Sequence, residues 1–162
     1  SDRCRLEGYA MKIADGKLLI INEKEYDQQA AAITLAPHEM RPDYVFVDHG
    51  ERIRDVRVAY GDVSGSFSTA SNDGGRLEIT EIPVGDIGEA ERYAAGIARQ
   101  RNRLAFMGVV TPVVKHGQFA AWTPVEISGL GCPDGKYLVD IATYDFREQK
   151  TVLRLRRPLS GY

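Results

Sequence analysis

Cysteine is almost missing from this chain of 162 residues: Cys4 and Cys132 stand far apart, with no second pair. That excludes a disulfide framework and every zinc site built on closely spaced thiolates. One bridge between the two stays open, although nothing in the sequence points to an oxidising compartment. An excess of one charge is missing too. Lysine and arginine number 21 against 23 acidic residues, a formal net charge of -2. A protein that grips nucleic acid through its phosphates is as a rule clearly basic, so no specific nucleic acid is expected as a partner. No apolar run approaches the roughly 18 residues that a membrane helix needs, so no membrane partner is expected either. Residues Ser1 to Leu6 carry neither the apolar stretch nor the cleavage pattern of a secretory signal. They read as the last turn of a helix, and without an initiator methionine the chain is expected to be a portion of something longer. Trp122 is the only tryptophan, which is thin support for a glycan platform.

What is present is an ordinary globular composition, 43% hydrophobic and 27% charged. A chain of this length buries roughly two thirds of its unfolded surface and needs no metal or bridge to fold. Tyr9 to Asn22 reads as a hairpin. Tyr9, Met11 and Ile13 alternate with Ala10, Lys12 and Ala14; Asp15 and Gly16 supply a type I′ turn, where both central residues take positive φ; Leu18 to Ile21 returns. A polar, alanine-rich loop follows, then a short strand at Ile33 to Leu35 that Pro37 ends. Further strands are expected at Tyr44 to Val47 and at Asp55 to Tyr60, where Val56, Val58 and Tyr60 face one way and Arg57 the other. Gly61 to Gly75, rich in glycine and serine, reads as a flexible loop in which Phe67 docks. It serves as the boundary between a β-rich domain over 1–75 and a second domain over 76–162.

Arg76 to Ile82 reads as a strand leading into the one main helix, capped by Asp86 with Glu89 completing a capping box. Ala90, Tyr93, Ala94, Ile97, Ala98, Leu104 and Ala105 form its apolar stripe; Glu91, Arg92, Arg99, Gln100 and Arg103 form the opposite face. The chain then returns to strands. Phe106 to Val114 is broken by Pro112, which marks an edge or bulge. Val125 to Ser128 is short, and Asp134 and Gly135 close a tight turn. Lys136 to Phe146 is apolar on both faces, with Tyr137, Val139 and Ile141 against Leu138, Ala142, Tyr144 and Phe146. A strand apolar on both sides is either central or meets another subunit. Thr151 to Arg157 follows, with Leu153 and Leu155 inward and Arg154 and Arg156 outward. The fold class is mainly β, antiparallel sheet or barrel domains with one main helix, α+β by strict count. Tyr137, Val139, Ile141, Arg154 and Arg156 are the candidate subunit-interface residues.

No arrangement for chemistry emerges. His38, His49 and His116 fall in predicted turns without a second ligand nearby, so no metal or other cofactor is expected. Asp48 and His49 could orient an imidazole for base catalysis but read more simply as a polar turn. No serine sits on a nucleophile elbow, and no glycine loop between strand and helix cradles phosphate. Arg147, Lys150, Arg154, Arg156 and Arg157 form a basic cluster, read as a solvated face or as ion pairs to a neighbour. The chain is not expected to be an enzyme.

The order of these segments resembles the C-terminal half of the phage late control protein D family, baseplate hub proteins of tailed phages similar to the hub part of type VI secretion spike proteins. The residues that carry it are Glu7-Gly8-Tyr9, Asp15-Gly16-Lys17-Leu18-Leu19, and Ile33-Thr34-Leu35-Ala36-Pro37-His38-Glu39. With them go Val56-Arg57-Val58-Ala59-Tyr60, the helix from Glu89 to Leu104, Pro124-Val125-Glu126-Ile127-Ser128-Gly129, and Asp134-Gly135-Lys136-Tyr137-Leu138-Val139. The resemblance implies a virion protein without turnover and a tube-type β-barrel in the second domain. It also implies a homotrimer of the full-length parent that joins the tail tube to the central spike. The family's N-terminal half has no counterpart here. Two rival readings are a small β-barrel that binds nucleic acid or glycan, and a module attached to a cell-wall hydrolase.

Overall fold

The computed structural model describes residues 2–14, 16–71, 73–113 and 119–162, without the side chains of Asp2 and Ala14. In chain order the elements are α1 (Asp2–Leu6), β1 (Tyr9–Ala14), β2 (Lys17–Asn22), α2 (Glu23–Gln28), β3 (Ile33–Leu35), β4 (Val45–Asp48), β5 (Ile53–Tyr60), β6 (Val63–Ser68), β7 (Gly75–Ile79), α3 (Ile87–Asn102), β8 (Phe106–Val110), β9 (Pro124–Ile127), β10 (Gly135–Asp145) and β11 (Lys150–Arg156). The protein is mainly β with one long helix, as its sequence pattern implies. Two features depart from that pattern. Residues 23–28, expected to be loop, form α2. The pairing is not wholly antiparallel, because β3 runs parallel to β9 and β5 parallel to β7.

The chain forms two compact units, and they are interleaved along the sequence instead of meeting at one cut near residues 61–75. The first comprises Ser1–Tyr26, Gly50–Ala105 and Leu159–Tyr162; the second comprises Asp27–His49 and Phe106–Pro158.

In the first unit, a three-stranded sheet in the order β6-β5-β7 packs on α3. Val56 and Val58 of β5 meet Ala90, Tyr93, Ala94, Ile97 and Ala98 of the helix, with Phe67, Leu77, Ile79 and Tyr162 at the margin. The helix starts as its sequence predicts. The Asp86 carboxylate accepts from the Glu89 backbone N–H at 2.8 Å, and Glu89 Oε2 accepts from the Gly85 N–H at 2.8 Å. Burial inverts one assignment: Arg99, expected on the solvent side, is buried. Its Nε lies 3.7 Å from Glu23 Oε2, so the helix stripe widens to include a charge that only an ion partner makes tolerable.

The expected loop at residues 61–75 also resolves differently, because its middle is β6, paired with β5 from Asp55↔Ser68 to Tyr60↔Val63. Glycine at position 65 is a requirement of packing. A Cβ there would sit 2.6 Å from the Glu91 nitrogen and 2.8 Å from the Ala90 Cβ. Gly65→Val is therefore expected to cost about 1–3 kcal/mol or more through overpacking against helix backbone. Urea denaturation measures it, and an unchanged midpoint would mean that β6 and α3 do not approach this closely.

On the same sheet Asp55 accepts from Arg54 Nη2 at 2.7 Å and from Arg76 Nε at 3.0 Å. Hydrogen bonds from Arg54 first, then from Ser68, lower its pKa to about 2. A carboxylate depressed in the folded state adds stability above its ordinary pKa of about 4, and that stability is lost as pH falls toward 2. The stability gap between the parent and Asp55→Asn is thus expected to close between about pH 5 and pH 2. A gap independent of pH in denaturation curves would exclude the ionised pair as its cause.

The second unit is a six-stranded sheet in the order β3-β9-β10-β11-β8-β4. Its core holds Leu35, Met40, Val110, Phe119, Val125, Ile127, Tyr137, Val139, Leu153 and Leu155. Phe46 of β4 lies across Gly108 of β8, where an added Cβ would come within 2.5 Å of the ring. Pro112 sits past the end of β8 and forms an isolated bridge with Met40, consistent with its inability to donate to a ladder.

Candidate functional site

The strip of residues read from the sequence as a subunit interface divides in two. β10 does not alternate evenly along its length: its register with β11 shifts between Val139 and Ile141, a bulge that accommodates Asp140. An extra residue moves every later side chain to the opposite face. Tyr137 and Val139 therefore point into the core, while Ile141 turns out to the surface. Tyr137 and Val139 are covered by the chain's own residues and leave the candidate strip.

Arg156 leaves it as well. Expected outward, it is buried, and its Nη1 donates to Asp27 Oδ1 at 3.0 Å. Its guanidinium carbon stands 5.1 Å from the centre of the Trp122 ring. Trp122 itself holds φ at +76°, a left-handed conformation that costs a bulky residue energy and must be held by its surroundings. Two backbone bonds do this, Trp122 N–H to the Val139 carbonyl at 2.7 Å and Val139 N–H to the Thr123 carbonyl at 3.0 Å. Nothing in the local sequence signals this cluster, because Asp27 and Arg156 are 129 positions apart.

Ile141 and Arg154 remain at the surface, and they belong to a row that the ladder defines. Val45 pairs with Val109, Val109 with Arg154, and Arg154 with Ile141. Residues directly opposite in a sheet share a face, so the four form one line across β4, β8, β11 and β10. The three apolar members are all exposed, and Val47 of β4 extends the patch. Arg154 donates to Asp140 Oδ2 from Nε at 2.8 Å, so the row carries little net charge.

A second apolar surface stands on the hairpin of the first unit. There β1 and β2 form a sheet of their own, with Met11 opposite Ile20 and Ile13 opposite Leu18. Tyr9, Met11, Ile13, Leu18 and Ile20 thus share one face, and all are exposed, Ile13 to 78%. The opposite face carries Ala10, Lys12, Leu19 and Ile21, with Ile21 buried. Gly16 takes φ of +70° in the turn; Asp15 lies outside the described residues.

The remaining predicted positions serve local structure. Asp134 accepts from the backbone N–H groups of Leu130 at 2.7 Å and Gly129 at 2.9 Å, and these bonds lower its pKa. Gly135 adopts φ of +132° as β10 begins. His38 lies in a short 3-10 turn and His49 in the loop after β4, both exposed; His116 lies outside the described residues. Among the described residues no three His, Cys, Asp or Glu side chains gather as metal ligands. No described helix is long and apolar enough to cross a membrane.

A mixed two-unit β fold with apolar outward faces thus defines the class to which the chain can be compared. No protein-family profile and no curated protein sequence matches it. Solved structures do. The 43 kDa tail protein of prophage MuSo2 from Shewanella oneidensis aligns with a TM-score of 0.73 at 13% identity, over 96% of this chain and 51% of that one. A tail protein from Neisseria meningitidis MC58 aligns with a TM-score of 0.69 at 12% identity, over 94% of this chain and 52% of that one. A chain in the virion of a native gene transfer agent particle aligns with a TM-score of 0.60 at 14% identity, over 98% of this chain and 38% of that one. The chain has the fold of these proteins and spans about half the length of the first two.

Proposed function

We propose that this protein is a structural component of a phage or prophage tail, part of the baseplate hub that adapts the tail tube to the central spike. The observation that supports this reading is the fold shared with two tail proteins over 94% and 96% of the chain. Its segment order resembles the late control protein D family, which adds the hub role. The working form is a homotrimer of the full-length parent, located in the virion, without catalytic turnover. Exposed rows of apolar side chains on two sheets suit a protein that is completed by neighbours, because monomers rarely leave large contiguous apolar patches in water.

Deleting the gene from its phage or prophage tests the reading. Particles seen by electron microscopy are expected to lack finished tails, with complementation restoring them. Normal, infectious tails in the deletion strain would overturn it.

A further inference from the structure

The hairpin is held to α3 at both of its ends, and the two attachments differ in kind. At the α2 end, Ile21 and Glu23 are buried. Glu23 Oε2 stands 3.7 Å from Arg99 Nε, and Glu23 Oε1 stands 3.6 Å from Arg103 Nη1. At the β1 end, α1 lies on α3 through two ion pairs, Arg3 Nη2 to Glu89 Oε1 at 3.3 Å and Arg92 Nε to Glu7 Oε2 at 3.2 Å. Leu6 adds one half-buried apolar side chain against the core of the unit. We propose that α1 is a releasable strap: it lifts off α3 and loses its helix, while α3 and its sheet stay folded and the hairpin stays attached through Glu23.

Burial separates the two attachments. In the strap's ion pairs the Arg3 and Arg92 side chains are 74% and 57% exposed. Pairs open to water hold weakly and are screened by salt. The side chains of Glu23 and Arg99 are 8% and 7% exposed, and a buried charge resists losing its partner. Length points the same way. α1 has five residues, too few to persist as a helix away from a support, so docking and helix formation are one event. Its seat on α3 is a single residue. A Cβ on Gly96 would lie 1.9 Å from the Leu6 carbonyl oxygen and 3.1 Å from that of Arg5. Both are backbone atoms, so no change of rotamer clears them and α1 itself must move. Gly8, at φ of +78°, ends α1 and gives the joint at which it turns away from β1.

Hydrogen exchange in the full chain tests the strap. The Glu7 and Gly8 amides donate to the Arg3 and Arg5 carbonyls at 3.0 and 3.1 Å, so their protection reports on α1. The amides from Ile97 to Asn102 report on α3. Raising the salt to about 1 M is expected to speed exchange at Glu7 and Gly8 roughly threefold and to leave α3 unchanged. Protection lost at both places together would make α1 an inseparable part of the unit and overturn the proposal. Protection at Glu7 and Gly8 that ignores salt would overturn it as well.

Two variants take the contacts apart. Gly96→Ala is expected to speed exchange at Glu7 and Gly8 about tenfold or more, while α3 exchanges no faster, because alanine is the better helix former. A general packing defect would instead loosen both elements. Arg3→Gln with Glu7→Gln leaves α3 unaltered, so it decides the matter even if Gly96→Ala does not fold. Here exchange at Gly8 is expected to rise roughly threefold and to lose its dependence on salt. Unchanged exchange at Gly8, or α3 amides that accelerate in step with it, would overturn the proposal.

Discussion

Asp27→Ala is expected to destabilise the protein by about 3–5 kcal/mol, the cost of leaving a buried charge without its counter-ion. The side chains of Arg156 and Asp27 are 1% and 2% exposed and meet at 3.0 Å. Water cannot take over when the carboxylate is removed, because the Trp122 ring lies against the guanidinium. Asp27 is also tied through its backbone, whose carbonyl accepts from Lys136 Nζ at 2.7 Å. That bond survives the substitution, so the loss reports on the carboxylate. Replacing both charges, Asp27→Leu with Arg156→Met, is expected to recover most of it, since apolar side chains of similar volume often replace a buried pair at little net cost. Urea denaturation of the parent, Asp27→Leu, Arg156→Met and the double variant gives the cycle. A loss under about 1 kcal/mol for the single variant would place the pair in solvent.

Tyr137→Ala is expected to cost a similar amount, about 3–5 kcal/mol, through the cavity that it opens. Tyr137 is fully buried, with the rings of Phe46 and Phe106 centred 5.6 and 6.1 Å away. Burial also raises its phenol pKa, partly opposed by the Arg157 hydrogen bond and charge. The phenol donates to the Pro133 carbonyl at 2.5 Å, and this lets the two contributions be separated. Tyr137→Phe keeps the ring and loses the bond, an expected cost near 1 kcal/mol. Equal losses for Phe and Ala would show that the hydroxyl, and not the ring, holds the core together.

How far the sequence revealed this arrangement depended on the range of the cause. Local causes were legible. Asp15-Gly16 between two alternating runs marks β1 and β2, and Asp86 with Glu89 marks the start of α3. The alternation of Val56 and Val58 around Arg57 marks the buried face of β5. Causes that lie elsewhere in the chain were not. The Gly-Ser-rich segment around Gly65 reads as loop because small residues usually mark loops; here they let a strand approach helix backbone. Residues 23–28 lack an apolar stripe because α2 contributes charge, with Glu23 opposite Arg99 and Asp27 opposite Arg156. The bulge at Asp140 breaks a period of two that the bare sequence continues, so Ile141, expected on the face of Val139, stands on the opposite one. The surface that survives, Ile141 and Arg154, needed the register with Val109 and Val45 before it could be seen as a row.

The threading of the chain through its two units governs the order in which they can be finished during synthesis. The first unit needs Tyr162, whose ring stacks 6.1 Å from Phe67 and whose hydroxyl accepts from Asn102. The second needs β11, which pairs with both β10 and β8. Neither can close on the ribosome from its early segments alone, and contacts of such long sequence separation form slowly. The hairpin, by contrast, is complete by Asn22. Its apolar face therefore stands exposed before either unit can close, so a nascent chain is open to aggregation at that surface.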